Sequence, residues 1–300
     1  MSTSYVTPEY STFVTDCQAR IEIQLNKQFD GLDEYNTTLI EAMKYSLLGG
    51  GKRIRPVLAY AAAHACGRIN SSTDNFAVAL ENIHAYSLIH DDLPAMDDDK
   101  LRRGKPTCHI QFDEATAILA GDALQAMAFE AISHTGEAKP NIQIQAIRQL
   151  AKSSGAQGMV LGQAIDLNAV DSELSLEQLA TMHKHKTGAL IEASVVMGAL
   201  SADAENFQID ALKQYAGYVG LAFQVQDDIL DVTSDTATLG KTQGADIERN
   251  KPTYVSLLGL DTAKEKAISL RDQAIHSLSS FDDKADHLRA LADFIIQRAF

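Results

Sequence analysis

The chain has 300 residues, enough for one large domain or two average ones, and 45% of them are hydrophobic, enough for a sizeable core. Its formal net charge of −14 argues against a protein that binds nucleic acid through the phosphates. If the ligand is another kind of anion, local basic groups or metal ions must reverse the field where it binds.

The cysteines and the N-terminus indicate a cytoplasmic protein. Cys17, Cys66 and Cys108 lie far apart and form no CxxC pair, so we expect reduced thiols rather than disulfides or a zinc site. The first ten residues are polar, which argues against a signal peptide. No apolar run reaches the roughly 18 residues of a membrane span, so we expect no stable membrane insertion.

Apolar residues recur at helical spacing along most of the chain, and strand-like alternation is nearly absent. The predicted helices, in chain order, are 8–28, 39–48, 56–66, 75–93, 114–135, 141–167, 175–200, 208–232, 251–258, 261–280 and 283–299. The predicted loops are 67–74, 94–112, 136–140, 168–174, 201–206 and 233–250. We therefore predict one all-α domain over residues 1–300, with about ten core helices and a flexible segment at 1–8.

Two acidic clusters lie at the ends of apolar helices. In the second, Asp227, Asp228 and Asp231 are spaced so that all three crowd one side of a helix, where a cation would relieve their repulsion. In the first, Asp97 misses the helix face of Asp91, but Pro94 breaks the helix and allows the chain to fold back. Clustered carboxylates suit Mg²⁺, although each cluster alone is also explained by a solvated acidic face.

Basic residues cluster at two places in the sequence, beside a run of glycines and after the first acidic cluster. Gly49-Gly50-Gly51-Lys52-Arg53-Ile54-Arg55 places cations and a mobile backbone before a helix N-terminus, which is typical of an anion site. This sequence does not fit the Walker A pattern, and a loop that only caps the helix explains it too. Arg102 and Arg103 follow the first acidic cluster, which indicates metal and diphosphate at one place or a self-neutralising surface loop.

Eight stretches together resemble the short-chain trans-prenyl diphosphate synthases, most closely the bacterial farnesyl diphosphate synthases. They span about two hundred residues: GGGKRIRP (49–56), AYSLIHDDLPAMDDDKLRRGKPTCH (85–109), AGDAL (120–124), GQAIDL (162–167), HKTGALI (185–191), FQVQDDILD (223–231), GKTQGAD (240–246) and NKPTY (250–254). The resemblance implies an isoprenoid-synthase bundle around a deep central cavity, a homodimer, and Mg²⁺-dependent condensation of isopentenyl diphosphate with dimethylallyl and then geranyl diphosphate.

The resemblance also implies roles for individual residues. The implied metal ligands are Asp91, Asp97 and Asp227, with Asp92 and Asp231 beside them. The allylic diphosphate side would be formed by Arg102, Lys186, Thr187, Gln224, Lys241 and Lys251. The isopentenyl diphosphate side would be formed by Lys52, Arg55, His84 and Arg103. Catalysis would fall to Asp91, Asp227, Lys186, Thr187 and Gln224, and the departing diphosphate would accept the proton.

Product length should depend on the helix that carries Asp91. Tyr86 and Ser87 lie four to five residues earlier, about 6–8 Å down its axis, where a bulky tyrosine resembles the floor of farnesyl-forming enzymes. Tyr86 would otherwise merely pack against a neighbouring helix. The tail ends Gln297-Arg298-Ala299-Phe300, with fewer basic residues than many relatives, which weakens any role in closing the site.

Three other functions remain open: a longer-chain synthase such as a geranylgeranyl diphosphate synthase, a terpene cyclase on the same scaffold, and a non-catalytic partner subunit or acidic metal-binding protein. Lys52, Arg55 and Arg103 argue against a cyclase, which needs no isopentenyl diphosphate site. Both acidic clusters are intact, which argues against a subunit that has lost catalysis.

Overall fold

The computed structural model describes residues 6–32, 37–134, 136–169, 174–233 and 252–297. Within these ranges the all-α fold is confirmed. The helices are α1 Pro8–Lys27, α2 Thr37–Leu47, α3 Ile54–Cys66, α4 Ser71–Asp91, α5 Cys108–Gln111, α6 Glu114–Ser133, α7 Pro140–Ser154, α8 Met159–Asn168, α9 Leu176–His183, α10 Ala189–Ser201, α11 Asn206–Thr233, α12 Tyr254–Leu258, α13 Leu260–Ser277 and α14 Asp286–Gln297.

Helix α10 forms the centre of the bundle. It is apolar on all sides, and nearly every residue from Leu190 to Ser201 is buried, as expected for a helix enclosed by others. It packs against α3, α4, α7 and α11. Since α4 and α11 carry the two acidic clusters, their shared contact with α10 brings both clusters to the interior of one bundle.

Helix α4 begins at Ser71, so the predicted start at residue 75 is wrong. Asn70 caps this end: its side-chain oxygen accepts hydrogen bonds from the backbone N–H groups of Ser72 and Thr73, at 2.9 and 3.1 Å. The Thr73 hydroxyl in return accepts one from the Asn70 N–H at 3.1 Å, which completes a capping box. Helix α3 also begins early, at Ile54 rather than at Pro56.

Two predicted helices are interrupted. The helix predicted over 141–167 is two helices, α7 and α8, because the chain turns between Gly155 and Gly158. A Cβ on Gly158 would lie 2.0 Å from the Ser153 carbonyl oxygen, so this turn requires glycine. The helix predicted over 175–200 contains a π-helical turn, Lys184–Gly188, between α9 and α10.

The predicted loop over 94–112 contains structure of its own. Strands β1 (Leu101–Arg102) and β2 (Lys105–Pro106) pair antiparallel, and α5 follows. The two turn residues, Arg103 and Gly104, have φ of 53° and 74°, as a tight hairpin turn with a right-handed strand twist requires. The remaining described boundaries lie within one helical turn of their predicted positions.

We predict that Gly198→Ala lowers the free energy of unfolding. A Cβ at this position in α10 would lie 2.1 Å from the Ala59 carbonyl oxygen, so α3 and α10 would be forced apart, at a cost of about 1–3 kcal/mol. Gly217→Ala in α11 is the matched control. It meets no atom within 4 Å, and alanine should stabilise the helix by about 0.5–1 kcal/mol. Urea unfolding of both variants measures the difference, and equal midpoints would contradict the close packing.

Candidate active site

A cavity of about 930 Å³ opens in the centre of the bundle, a size typical of small-molecule sites. Its wall brings together most of the residues predicted to form the site, although they come from distant parts of the chain. The predicted residues on the wall are Lys52, Arg55, His84, Tyr86, Ser87, Asp91, Arg102, Arg103, Lys186, Thr187, Gln224 and Asp227.

Five predicted site residues are not among the described residues of the wall. Asp92, Asp97 and Asp231 lie near the cavity in sequence but not on its wall. Lys241 and Lys251 lie outside the described residues, as do most of the predicted loop 233–250 and the tail beyond residue 297.

The first acidic cluster folds back on itself, as Pro94 allows. The backbone N–H of Asp97 donates to the Asp91 carbonyl oxygen at 2.9 Å, and that of Asp98 donates to the Leu93 carbonyl oxygen at 3.1 Å. Burial raises the pKa of Asp91 to about 6, with a further rise from the Asp97 charge, while Lys186 opposes it. An ionised Asp91 therefore costs free energy unless a cation binds beside it.

Asp92 does not line the cavity and instead holds Arg102. Its buried carboxylate accepts hydrogen bonds from Arg102 Nε at 2.8 Å and from Arg102 Nη2 at 2.6 Å. This two-point ion pair fixes the guanidinium plane on the cavity wall. The metal-ligand role of Asp92 remains a prediction, and the geometry favours the positioning of Arg102.

The second acidic cluster divides between the cavity and the helix packing. Asp227 lies on the cavity wall, whereas Asp228 and Asp231 are buried. The Asp228 carboxylate accepts a hydrogen bond of 2.6 Å from the backbone N–H of Tyr254, the first residue of α12. Asp228 thus anchors the helix that begins soon after the predicted Lys251.

The π-helical turn presents Lys186 and Thr187 to the cavity. Lys186 Nζ donates to Asp166 Oδ2 at 2.6 Å, and the Thr187 hydroxyl donates to Gln224 Oε1 at 2.8 Å. Glycine makes this arrangement possible, because a Cβ on Gly162 of α8 would lie 2.1 Å from the Lys186 backbone nitrogen. A π-turn disrupts the regular helical hydrogen bonds, and such turns often occur at functional sites.

The glycine-rich loop before α3 contacts the Arg103 side chain and fixes its position. Gly50 and Gly51 have φ of 87° and 136°, and a Cβ on Gly51 would lie 2.8 Å from Arg103 Nη1. The Arg103 guanidinium donates a hydrogen bond to the Gly50 carbonyl oxygen. The glycines therefore place a cation on the cavity wall, in addition to any contact of their own with an anion.

His84 lies among these cations. Burial holds the pKa of His84 well below its ordinary value, and the nearby Arg55 and Arg103 charges add to this effect. The imidazole is therefore neutral at pH 7 and offers a ligand one hydrogen-bond donor and one acceptor.

The charge of the cavity wall is opposite to that of the whole chain. The described wall carries more cationic side chains than carboxylates. The six cations are Lys52, Arg53, Arg55, Arg102, Arg103 and Lys186, and the three carboxylates are Glu81, Asp91 and Asp227. The net charge of −14 is thus locally reversed, as an anionic ligand requires. The cavity also has an apolar wall, formed by Met159, Val160, Leu167, Ile191, Phe223 and Leu230.

Tyr86 lies on this wall and is 5% exposed. Its ring meets the edge of His90 at a centroid distance of 5.6 Å. His90 packs so closely on α6 that a Cβ on Gly121 would lie 2.1 Å from His90 Nε2. Tyr86 is therefore held in place by a side chain that is itself fixed.

Sequence reasoning gave no role to several wall residues. Gln163 is buried on the wall, and neither atom of its amide has a hydrogen-bond partner in the described part of the chain. Its spacing of three from Asp166 on an apolar helix was the available signal. Arg53 was counted only as one cation of the loop before α3, and Glu81 was missed, because no spacing rule could have paired residues from different elements.

The carboxylates fit Mg²⁺ in the chemistry of their donors. Asp91 and Asp227 offer hard oxygen ligands on the wall, and the raised pKa of Asp91 indicates a site that favours a cation. Within the described residues, no three acidic, histidine or cysteine side chains converge closely enough to hold an ion unaided. This arrangement suits Mg²⁺, which normally completes its coordination with water and substrate phosphate oxygens.

Comparisons with known proteins agree with this geometry. Residues 36–292 match the model of the polyprenyl synthetase family. The chain belongs to this family. A polyprenyl synthetase relative, the farnesyl diphosphate synthase of Haemophilus influenzae, is 50% identical over 293 residues, which cover 96% of this chain and 98% of that protein.

Two further polyprenyl synthetase relatives bear on the product. The chloroplastic geranylgeranyl pyrophosphate synthase of Capsicum annuum is 49% identical over 261 residues, 86% of this chain and 71% of that protein. A geranyltransferase from Legionella pneumophila with a known crystal structure is 35% identical to this chain in sequence. The two structures superpose with a TM-score of 0.87 over 97% of this chain and 98% of that one.

Proposed function

We propose that this chain is a farnesyl diphosphate synthase, which condenses isopentenyl diphosphate with dimethylallyl and then geranyl diphosphate. The observation that carries the proposal is a single cavity whose described wall combines an excess of cationic side chains, carboxylates from both acidic clusters and an apolar part. Two diphosphates and one growing hydrocarbon chain need this combination. The full-length likeness to a farnesyl diphosphate synthase supports the choice of product.

The two diphosphates bind on different groups of cations. Arg102, Lys186, Thr187 and Gln224 face the allylic diphosphate, together with the predicted Lys241 and Lys251. Lys52, Arg55, His84 and Arg103 face isopentenyl diphosphate. With each diphosphate on its own group of cations, both reacting carbon atoms are held in one relative orientation. This removes much of the entropic cost of the reaction.

The reaction begins when the allylic carbon–oxygen bond breaks and diphosphate carries away the electron pair. Lys186 and Arg102 stabilise the negative charge that develops on the leaving group. The Thr187–Gln224 pair and the Lys186 carbonyl direct oxygen dipoles towards the allylic cation, and the apolar wall excludes water. The double bond of isopentenyl diphosphate then forms the new carbon–carbon bond, and the departing diphosphate accepts the proton that is lost.

Asp91, Asp97 and Asp227, with Asp92 and Asp231 nearby, would hold Mg²⁺, which would add to the charge stabilisation of the departing diphosphate. Three features support this role: the raised pKa of Asp91, the folded-back backbone at Asp97 and the place of Asp227 on the wall.

Product analysis tests the proposal. Protein incubated with isopentenyl diphosphate, geranyl diphosphate and Mg²⁺ should give a dominant C15 product, and EDTA should abolish it. A dominant C20 product would favour the geranylgeranyl alternative. The absence of any product from folded protein would favour a non-catalytic partner subunit.

In the same assay, Asp91→Ala or Asp227→Ala should reduce kcat on the order of 100-fold or more, because each removes charge that binds the metal. Asp210→Ala is the matched control: it lies on α11 like Asp227 but is exposed, and it should retain wild-type activity. Near-normal turnover in either active-site variant, with circular dichroism showing an intact fold, would refute the metal site.

Tyr86 is proposed as the floor that limits the product. Its buried ring lies on the wall about one and a half turns before Asp91, where a growing chain would meet it. We predict that Tyr86→Ala lengthens the product to C20 or beyond, whereas Tyr86→Phe, which keeps the ring, gives C15. Chromatography of the products by chain length measures this. An unchanged C15 product from Tyr86→Ala would mean that Tyr86 only packs against its neighbours.

We also infer that the protein is a homodimer formed through α6. Within the described residues, α6 is long and apolar enough to cross a membrane by length and composition alone. A helix in the core of a soluble protein meets the same criteria. One face of α6 packs on α4, while Ile118 and Leu119 on the other face are 43% and 55% exposed. A second copy of the chain would cover this face. Cytoplasmic location remains a prediction.

Light scattering should therefore give twice the 32.5 kDa mass of the chain. We predict that the double variant Ile118→Asp, Leu119→Asp gives a monomer, because carboxylates would be buried at the interface. Ile144→Asp on α7, at an even more exposed apolar residue, should remain dimeric. A wild-type monomer, or a dimer that survives the double variant, would exclude an α6 interface.

A further inference from the structure

Arg53 differs from the other cations on the cavity wall because each of its nitrogens already has a protein partner. Nε donates to Glu22 Oε1 at 2.7 Å, Nη1 to Glu81 Oε1 at 2.7 Å, and Nη2 to the Leu47 carbonyl oxygen at 2.8 Å. Its side chain is only 2% exposed. A guanidinium with these fixed bonds is poorly suited to bind a ligand directly and well suited to hold other groups in place.

The three partners come from three helices. Glu22 lies on α1, Leu47 ends α2, and Glu81 lies on α4, while Arg53 itself immediately precedes α3. Arg53 has φ of 51°, in the left-handed region that a residue other than glycine adopts at a cost of about 1–2 kcal/mol. The three hydrogen bonds maintain this backbone conformation, which directs Lys52 and Arg55 to the cavity wall.

Glu81 is the most unusual member of this cluster, because a carboxylate lines a cavity that should bind an anion. Its side chain is 3% exposed, and Oε2 has no hydrogen-bond partner among the described residues. Besides pairing with Arg53, Glu81 carries a negative charge that opposes the lowering of the Arg55 and Arg103 pKa values by burial and so favours their charged forms. It lies three residues before His84, on the same face of α4.

We propose that Arg53 and Glu81 are positioning residues for isopentenyl diphosphate: they form a clamp that holds Lys52, Arg55 and Arg103 in the geometry that binds its diphosphate group. This inference rests on the proposed function. The clamp acts through the backbone of residues 49–55, which also accepts the Arg103 hydrogen bond at Gly50 and one of 2.9 Å from Gln18 Nε2 at the Lys52 carbonyl oxygen.

The clamp and simple electrostatics give opposite expectations for one variant. If Glu81 only repels the ligand, Glu81→Gln should lower KM for isopentenyl diphosphate. If Glu81 positions the arginines, the same change should raise this KM by about tenfold, which corresponds to about 1.4 kcal/mol of lost binding free energy. Both kcat and KM for geranyl diphosphate should stay within about twofold of wild type, because the allylic side is held by other residues.

Two more variants and a matched control complete the test. Arg53→Gln should raise KM for isopentenyl diphosphate at least as much as Glu81→Gln. Glu22→Gln, which removes the more exposed partner and keeps the buried one, should raise it by only about two- to threefold. Arg20→Gln breaks a different ion pair, the one that joins α1 to α4 through Asp74 at 2.6 Å, away from the cavity wall, and should change neither KM.

Steady-state kinetics with each substrate varied in turn, together with the thermal unfolding midpoint, separates the outcomes. A selective rise in KM for isopentenyl diphosphate in Glu81→Gln and Glu22→Gln, absent from Arg20→Gln, supports the clamp even if Arg53→Gln does not fold. An unchanged or lower KM in Glu81→Gln, beside normal wild-type turnover, overturns the clamp and leaves the proposed function intact. A wild-type protein that forms no product overturns both.

Discussion

Charged side chains held close together in a largely buried cavity are the constraint on which the rest of this structure depends. Water cannot solvate them fully, so each needs a partner from the protein. The structure supplies one behind several cations: Asp92 holds Arg102, Asp166 holds Lys186, and Glu81 holds Arg53. These ion pairs explain how an acidic chain maintains a basic cavity before any ligand binds.

Glycine residues allow the backbones and side chains around these ion pairs to approach unusually closely. Gly162 lets α8 approach the Lys186 backbone, and Gly51 leaves room for the Arg103 guanidinium. In both places a single methyl group would collide with a residue that lines the cavity, at the Lys186 backbone in one case and at the Arg103 guanidinium in the other. The glycines near the site therefore set the positions of its cations, and the apolar core around α10 makes those positions rigid.

Helical periodicity was sufficient to predict the bundle, and the clustered motifs were sufficient to predict most of the polar residues on the described cavity wall. Periodicity failed where glycine or local hydrogen bonds determine the backbone conformation, as at the Gly155–Gly158 turn and the π-helical turn at Lys186. Asp92 illustrates a second limit, since its spacing suits a metal ligand while its contacts are with Arg102. Spacing along one helix cannot reveal a partner from another element, and for the same reason the pairing of Arg53 with Glu81 was not predicted.

The ion pairs also leave the cations able to bind. Lysine carries three hydrogen-bond donors and arginine five, so Lys186 with one bond to Asp166 and Arg102 with bonds to Asp92 retain donors for a diphosphate. Because Asp92 and Asp166 lie off the cavity wall, a ligand need not displace them. Binding then adds hydrogen bonds to side chains that are already ordered, which avoids much of the entropic cost of immobilising them.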